Sequence, residues 1–443
     1  MKILFVSLGC DKNLVDTEEM LAGLAEHGYT FTDDEEEAEI VIINTCCFIN
    51  DAKKESIDAI LEMADRKTSG QLKALIVAGC LGQRYKEEII KEIPEVDAVI
   101  GTTAQEELIP VLDQVLGQVP ERKKICLQPL DGMPAANAGR ILTTGGYYGY
   151  LRIAEGCDKC CTYCVIPSVR GPFRSVPMET LVRQAEDLAG KGVRELILVA
   201  QETTLYGVDL YGEKKLPELL RRLAGIEGIE WIRILYAYPE EITPELVKVI
   251  KEEPKVLHYL DMPIQHASDP VLKRMGRRTN RKELEEIVAF IRQEIPDMCL
   301  RTTLITGFPG ELEKDHQELV AFVKKMRFDR LGVFTYSKEE GTPAARLRPQ
   351  VPAPVKRKRQ KELMLVQQQI AFRQARKMKG RVLTAMVEGK LVGEDVYTAR
   401  TYKDAPGVDG LLFIETRKEL MTGDFIRVKV TGSQEYDLIG KPV

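Results

Sequence analysis

The sequence predicts an α/β chain in three parts: a doubly wound parallel sheet, a partial (β/α) barrel, and a small antiparallel β-barrel. Three observations predict it. Short apolar runs alternate with amphipathic stretches twice, from Met1 to about Ala104 and from Tyr150 to about Ser337, as parallel strands joined by helices require. A Gly- and Pro-rich interruption separates the two series. From Gly380 onward, short β-prone runs are punctuated by Gly and Asp turns. At roughly 100 to 200 residues per domain, a chain of 443 residues has room for all three parts.

In the first series, KILFV precedes LVDTEEMLAGLAEHG, IVIIN precedes ESIDAILEMADRK, ALIVAG precedes RYKEEIIKEI, and AVIGT precedes QEELIPVLDQVLG. Residues 1–126 are assigned to this domain and 127–148 to a linker. The second series offers six strands, YLRIAE, ELILVA, WIRILY, HYLDM, LRTTLIT and RLGVFTY, within 149–340. Six units make a partial barrel, short of the eight that close one. Residues 341–379 hold GTPAARLRPQVPAPV, with four prolines, and then a segment with nine basic residues against one acidic. Leu363, Val366 and Ile370 recur there at helical spacing, so it reads as a solvated basic helix closing the barrel. Residues 380–443 offer RVLTAMVEG, DVYTAR, GLLFIE, FIRVKVTG and YDLIGK, five strands of OB-like size.

Charge and hydropathy exclude some function classes. The 63 basic and 68 acidic residues leave a net charge of −5, which argues against binding nucleic acid through overall charge. A local basic surface stays open. No run approaches the roughly 18 apolar residues of a membrane helix, and the N-terminus reads as a strand rather than a signal peptide. No membrane partner is expected, and the expected compartment is the cytoplasm.

Ten cysteines in such a chain point to metal or redox chemistry and away from a disulfide framework. Cys157, Cys161 and Cys164 form a CxxxCxxC directly after the first strand of the second series. Three thiolates on one loop suit a 4Fe–4S cluster with one iron free for substrate. Zinc would need a fourth ligand, and no His stands nearby. Cys160 is read as a bystander. Cys10, Cys46 and Cys80 each follow a strand of the first series, 36 and 34 residues apart. In a parallel sheet such positions gather at one edge, where open α/β sheets bind ligands. A second cluster with a free iron is therefore expected there, with Cys47 an open alternative to Cys46. Cys126 and Cys299 read as core residues.

The triplet Cys157, Cys161, Cys164 on a six-unit β/α series resembles the radical S-adenosylmethionine (SAM) superfamily. Together with SLGCDKNLVD, INTCCFI and AGCLGQRY, it resembles the methylthiotransferases over nearly the whole chain. That resemblance implies a domain bearing a second 4Fe–4S cluster, a radical SAM barrel and a C-terminal TRAM domain. It implies two 4Fe–4S clusters and SAM as cofactors, with SAM serving as methyl donor and as radical source. Tyr163 matches an aromatic beside the adenine of SAM, with simple packing an equal expectation. Gln201 and Glu202 end the second strand where the superfamily contacts the methionine amine. Arg301 and Thr303, in a strand resembling the glycine-containing SAM motif, are further candidate SAM contacts. For Arg301 an ordinary salt bridge is an equal expectation. Asp261, Gln265 and His266 stand near the expected mouth, with His266 read as structural. No catalytic residue is expected beyond those that hold the clusters.

Within the family, SLGCDKNLVDTE, CFINDAKKESIDAI, LVAQETTLYGVDLYG and YSKEEGTPA resemble the branch that modifies the β-carbon of an aspartate in the twelfth small-subunit ribosomal protein. The alternatives are the branch acting on tRNA adenosine next to the anticodon and, from another class, a non-catalytic RNA- or ribosome-binding iron–sulfur protein. Glu339 and Glu340 of YSKEEGTPA, with nine basic and ten acidic residues in 380–443, suit a basic protein substrate better than tRNA. The implied partners are that ribosomal protein, free or assembled, and a flavodoxin- or ferredoxin-type electron donor.

Overall fold

β-branched runs with no polar interruption form central, doubly covered strands. In the computed structural model, which describes every residue except 71, 118–123 and 133–138, this holds for the first domain. Its six-stranded sheet runs in the order Thr30–Phe31, Lys2–Ser7, Ile40–Thr45, Ala74–Ala78, Ala98–Ile100, Ile125–Cys126, with every pairing parallel. Alternate residues feed opposite layers. Val41, Ile43, Leu75 and Val77 join one core, whereas Ile40, Ile42, Ala74 and Ile76 join the other. That is why IVII, from 40 to 43, and ALIVA are apolar throughout.

The second domain is an open parallel sheet of six strands in sequence order: Tyr148–Arg152, Glu195–Val199, Trp231–Ile234, Val256–Asp261, Cys299–Thr306 and Arg330–Thr335. Its helices pack outside over a large apolar core that includes Leu196, Leu198, Ile232, Leu260, Leu300 and Phe322. The basic segment forms one helix, Ala353–Lys377, against the last strand. Gln360 donates to the Val333 carbonyl at 2.7 Å and Gln367 to that of Phe328 at 2.9 Å, while Leu363 and Ile370 enter the core.

The C-terminal strands Val382–Lys390, Val396–Thr401, Leu412–Glu415, Phe425–Gln434 and Asp437–Pro442 close into a barrel. Four pairings are antiparallel and one, Leu412–Glu415 with Asp437–Pro442, is parallel. An odd number of strands around a closed ring requires at least one such pairing. This barrel stoppers the lumen of the central sheet: Met386 and Ala405 pack on Trp231, Leu257 and Tyr259. Beside them Glu195 lies buried between Arg233 and Arg400, each at 2.7 Å.

Of the linker, 133–138 lie outside the described residues. Its end is fixed to the first helix, Asp11–Glu26: Arg140 and Thr143 both donate to the buried Glu18 carboxylate.

Candidate active site

Both cysteine triplets stand where the chain leaves a strand. Cys10 is the extended residue capping helix Asp11–Glu26, Cys46 follows strand Ile40–Thr45, and Cys80 lies in the first turn of helix Gly79–Glu92. Burial is the main cause that raises the Cys80 and Cys46 thiols; Cys47, Cys46 and Cys10 raise Cys80 further and Cys10 raises Cys46, so all four cysteines lie within reach of one another's charge. Two glycines permit the approach. A side chain at Gly9 would meet Cβ of Cys46 at 2.7 Å, and one at Gly79 would run into the Thr45 carbonyl at 2.7 Å. Both glycines have positive φ, +96° and +88°.

Adjacent Cys46 and Cys47 part company. Cys46 packs on Gly9, next to Cys10. Cys47 turns into the core, its Sγ donating to the Cys80 carbonyl at 3.2 Å, and burial pushes its thiol up to about 11. Cys126 and Cys299 are buried, as expected of core residues.

The second triplet lies on the loop after strand Tyr148–Arg152. Backbone amides aim at its sulfurs: Lys159 at Cys157 Sγ, 3.4 Å, and Ile166 at Cys164 Sγ, 3.5 Å. The Arg277 guanidinium reaches Cys161 Sγ at 3.9 Å and stacks 4.4 Å over the Tyr238 ring. Burial pushes Cys157 up to about 11 and Cys164 up to about 12, so these sulfurs need a strong electropositive partner to ionise. N–H donors directed at buried thiols are the surroundings an iron–sulfur cluster calls for. Among the described residues no three His, Cys, Asp or Glu side chains close on a single metal ion. A four-iron cube is wider than one ion and needs its thiolates further apart. The donor set fits such a group at both triplets.

The candidate SAM contacts divide. Glu202 is fully buried, and one oxygen accepts from the amide of Thr204 at 2.9 Å and from its hydroxyl. The other oxygen has no partner, and burial pushes the carboxyl up to about 7. A buried, half-satisfied carboxylate is what a ligand ammonium would complete. Gln201 donates to Glu155 at 2.6 Å instead of facing open space. The half-buried Tyr163 meets Phe308 edge-on at 6.2 Å. Arg301 and Thr303 alternate with the buried Thr302 and Leu304 on strand Cys299–Thr306 and so face the lumen. Arg301 lies 3.2 Å from Asp261 and 3.8 Å from Asp409 of the C-terminal barrel, so it makes the salt bridge that was one of its two expected roles. His266 is fully buried and accepts at Nδ1 from the Ser268 amide, its Nε2 has no hydrogen-bond partner, and burial pushes its pKa down to about 3, which keeps it neutral.

A buried ionic network joins the triplets. Arg170, six residues after Cys164, donates to Cys80 Sγ at 3.4 Å, to Asp16 at 2.7 Å, to Glu155 at 3.3 Å and to Asn13. Glu155 in turn accepts from the Gly156 amide, just before Cys157. Arg152 clamps Asp16 and Glu19 from the other side. Arg170, Glu155, Asp16, Tyr238 and Arg277 were not legible as site residues in the sequence. Only the position of Arg170 close behind the cysteine loop offered a signal.

The structure corrects the reading of the YSKEEGTPA loop. Glu339 is only 1% exposed and pairs with Lys53 at 2.9 Å and Arg84 at 3.0 Å of the first domain. Glu340 accepts from Tyr85, and its carbonyl accepts from Arg84 at 2.8 Å. Glu339 thus holds two domains together instead of facing a basic substrate, while Glu340 touches the first domain and stays exposed.

Comparison with known proteins agrees with this architecture. Residues 2–101 match the Uncharacterized protein family UPF0004, residues 151–323 the Radical SAM superfamily, and residues 380–443 the TRAM domain. The ribosomal protein uS12 methylthiotransferase RimO of Lachnoclostridium phytofermentans is 61% identical over 99% of both chains. That of Acetivibrio thermocellus is 50% identical over 100% of this chain and 98% of its own. Among solved structures, the radical SAM methyltransferase TsrM from Kitasatospora setae shares the fold at a TM-score of 0.57. It is 12% identical and covers 77% of this chain and 76% of its own. By its full-length likeness to these enzymes, the chain belongs to the RimO family of radical SAM methylthiotransferases.

Proposed function

We propose that this enzyme adds a methylthio group to the β-carbon of an aspartate in ribosomal protein uS12, drawing both the methyl group and the radical from SAM. The observation that carries the reading is Arg170, one guanidinium touching Cys80 of the first triplet and Glu155, two residues before Cys157 of the second. It supports two cluster sites facing one cavity. When bound, the two 4Fe–4S clusters and SAM supply a reducing centre, a methyl group and a carbon-centred radical.

The chain's own residues bind and orient. Cys157, Cys161 and Cys164 would hold one cluster and Cys10, Cys46 and Cys80 the other; the inward turn of Cys47 supports Cys46 as the ligand. Glu202 presents its unpartnered oxygen to the SAM ammonium, with Tyr163, Gln201, Arg301 and Thr303 as further proposed contacts. The C-terminal barrel closes one end of the lumen, so substrate enters from the other and water is excluded behind it. We assign 1–126, 149–340 and 380–443 as the three domains, joined through 127–148 and 341–379, and the cytoplasm as the compartment. The full-length relatives named for uS12 favour this substrate over tRNA adenosine.

The test is intact-mass analysis of uS12 and of tRNA after incubation with reconstituted enzyme, SAM and reductant. A methylthio adduct on the uS12 aspartate is expected. An adduct on tRNA alone overturns the substrate, and no adduct on either overturns the reading.

A further inference from the structure

The protein carries a net charge of −5, yet one surface is strongly basic. Lys273, Arg274 and Arg278 lie at or just beyond the end of helix Asp269–Met275; Arg346 and Arg348 follow it in space; Arg357, Lys358 and Lys361 occupy the first turns of helix Ala353–Lys377. All eight are exposed, and among the described residues none has a carboxylate within salt-bridge distance. Their backbones are contiguous. Arg274 donates to the Arg348 carbonyl at 3.4 Å and packs on Gly310, whose amide reaches the Pro349 carbonyl at 2.8 Å; the Lys356 side chain packs on Gly307.

This surface abuts the loop Cys157–Cys164. The Thr162 hydroxyl donates to the Arg274 carbonyl at 2.8 Å, the Ala344 amide donates to the Thr162 carbonyl at 2.8 Å, and Gly276 packs on the carbonyl of Cys160. Among the nearby acids, Glu311 and Glu313 pair with Arg359 and Glu339 with Lys53 and Arg84, whereas Glu340, Asp269 and Glu362 meet only a hydroxyl, a backbone amide and an imidazole and keep their charge. Eight exposed cations outnumber these three acids, and the net positive field draws an anionic partner toward the cysteine loop.

We infer that this surface, from Lys273 to Arg278 and across Arg346 and Arg348 to Lys361, is the docking site for a small acidic electron-transfer protein. The inference rests on the reading that Cys157, Cys161 and Cys164 hold the reducing cluster. One electron leaves the reduced flavin or iron–sulfur group of the partner, which is left oxidised by one electron. It passes through the cysteine loop and breaks one sulfur–carbon bond of SAM, giving methionine and the 5′-deoxyadenosyl radical. RNA is the competing polyanion, but contact with the cysteine loop favours an electron donor.

The test uses the full-length reconstituted enzyme with SAM and no ribosomal protein, and reads 5′-deoxyadenosine. Reduced bacterial flavodoxin and dithionite serve as alternative reductants. The variant R278E/R346E/R357E/K358E should lose at least about tenfold of the flavodoxin-driven rate at low salt and keep the dithionite-driven rate. A charge-matched control on the outer helices, R183E/K248E/K282E/K324E, should keep both. Added salt should slow the wild type with flavodoxin and not with dithionite. An unchanged flavodoxin rate in the variant, an equal fall with both reductants, or a loss confined to binding of small-subunit RNA overturns the docking site. Absence of 5′-deoxyadenosine from the wild type with dithionite overturns the cluster reading instead.

Discussion

Arg170 donates from Nε to the Sγ of Cys80 at 3.4 Å, across a separation of 90 residues and a domain boundary. The same guanidinium is bound by Asp16 and Glu155, so its position is fixed by both domains at once. Arg170→Met would take one of two arginines from Asp16 and Glu155, leaving both carboxylates to Arg152. Orphaning a buried charge costs about 3–5 kcal/mol, so with Arg152 still in place the loss should fall below that. The expected result is a lower unfolding temperature of the anaerobic apo-protein, with Arg170→Lys falling between variant and wild type. An unchanged melting temperature in Arg170→Met would show that the network adds nothing to the domain interface.

The two triplets separate by role. Anaerobically reconstituted enzyme should hold about eight irons. Replacing Cys157, Cys161 and Cys164 with Ala should remove about half of the iron and all SAM cleavage. Replacing Cys10, Cys46 and Cys80 should abolish methylthio transfer while 5′-deoxyadenosine still forms. Iron analysis and product chromatography read both outcomes.

Cys46 and Cys47 differ in where they point, not in type. Cys46→Ala is expected to lose about half of the iron, whereas Cys47→Ala should keep about eight and lose only packing. The reverse pattern would mean that the loop turns over when a cluster is bound.

Glu202 carries a pH dependence whose sign is fixed by its surroundings. Burial holds its pKa at about 7, above the ordinary carboxyl value, so below pH 7 it is protonated and cannot receive an ammonium. SAM affinity should rise about tenfold per pH unit as pH approaches 7 and level off above it. The ionised form is the one burial disfavours, so this group contributes most stability at low pH and loses that contribution as pH rises through about 7. Glu202→Gln should bind SAM more weakly and flatten the profile, as calorimetric titration across pH would reveal.

The Glu339 contact makes a loop mutation act at a distance. Glu339→Gln removes the charge facing Lys53 and Arg84, so protection from hydrogen exchange should fall in helices Asn50–Thr68 and Gly79–Glu92. Equal exchange in both proteins would assign domain docking to other contacts.

What the sequence by itself determined is everything set by local spacing. Alternation of IVIIN and ALIVA with amphipathic runs specifies parallel strands under helices. CxxxCxxC brings three thiols onto one loop, and strand-end placement gathers Cys10, Cys46 and Cys80, because a parallel sheet puts all its carboxyl ends on one edge. The tertiary structure alone decided which of two neighbouring cysteines faces the edge, since adjacent residues carry no pattern to tell them apart. It alone turned Glu339 inward and tied Arg170 to Asp16, 154 residues away. A buried ion pair is chosen by desolvation and by the geometry of two domains meeting, and neither leaves a period in the chain. The basic surface has the same origin: its cations are scattered from Lys273 to Lys361, and only folding places them side by side next to the cysteine loop.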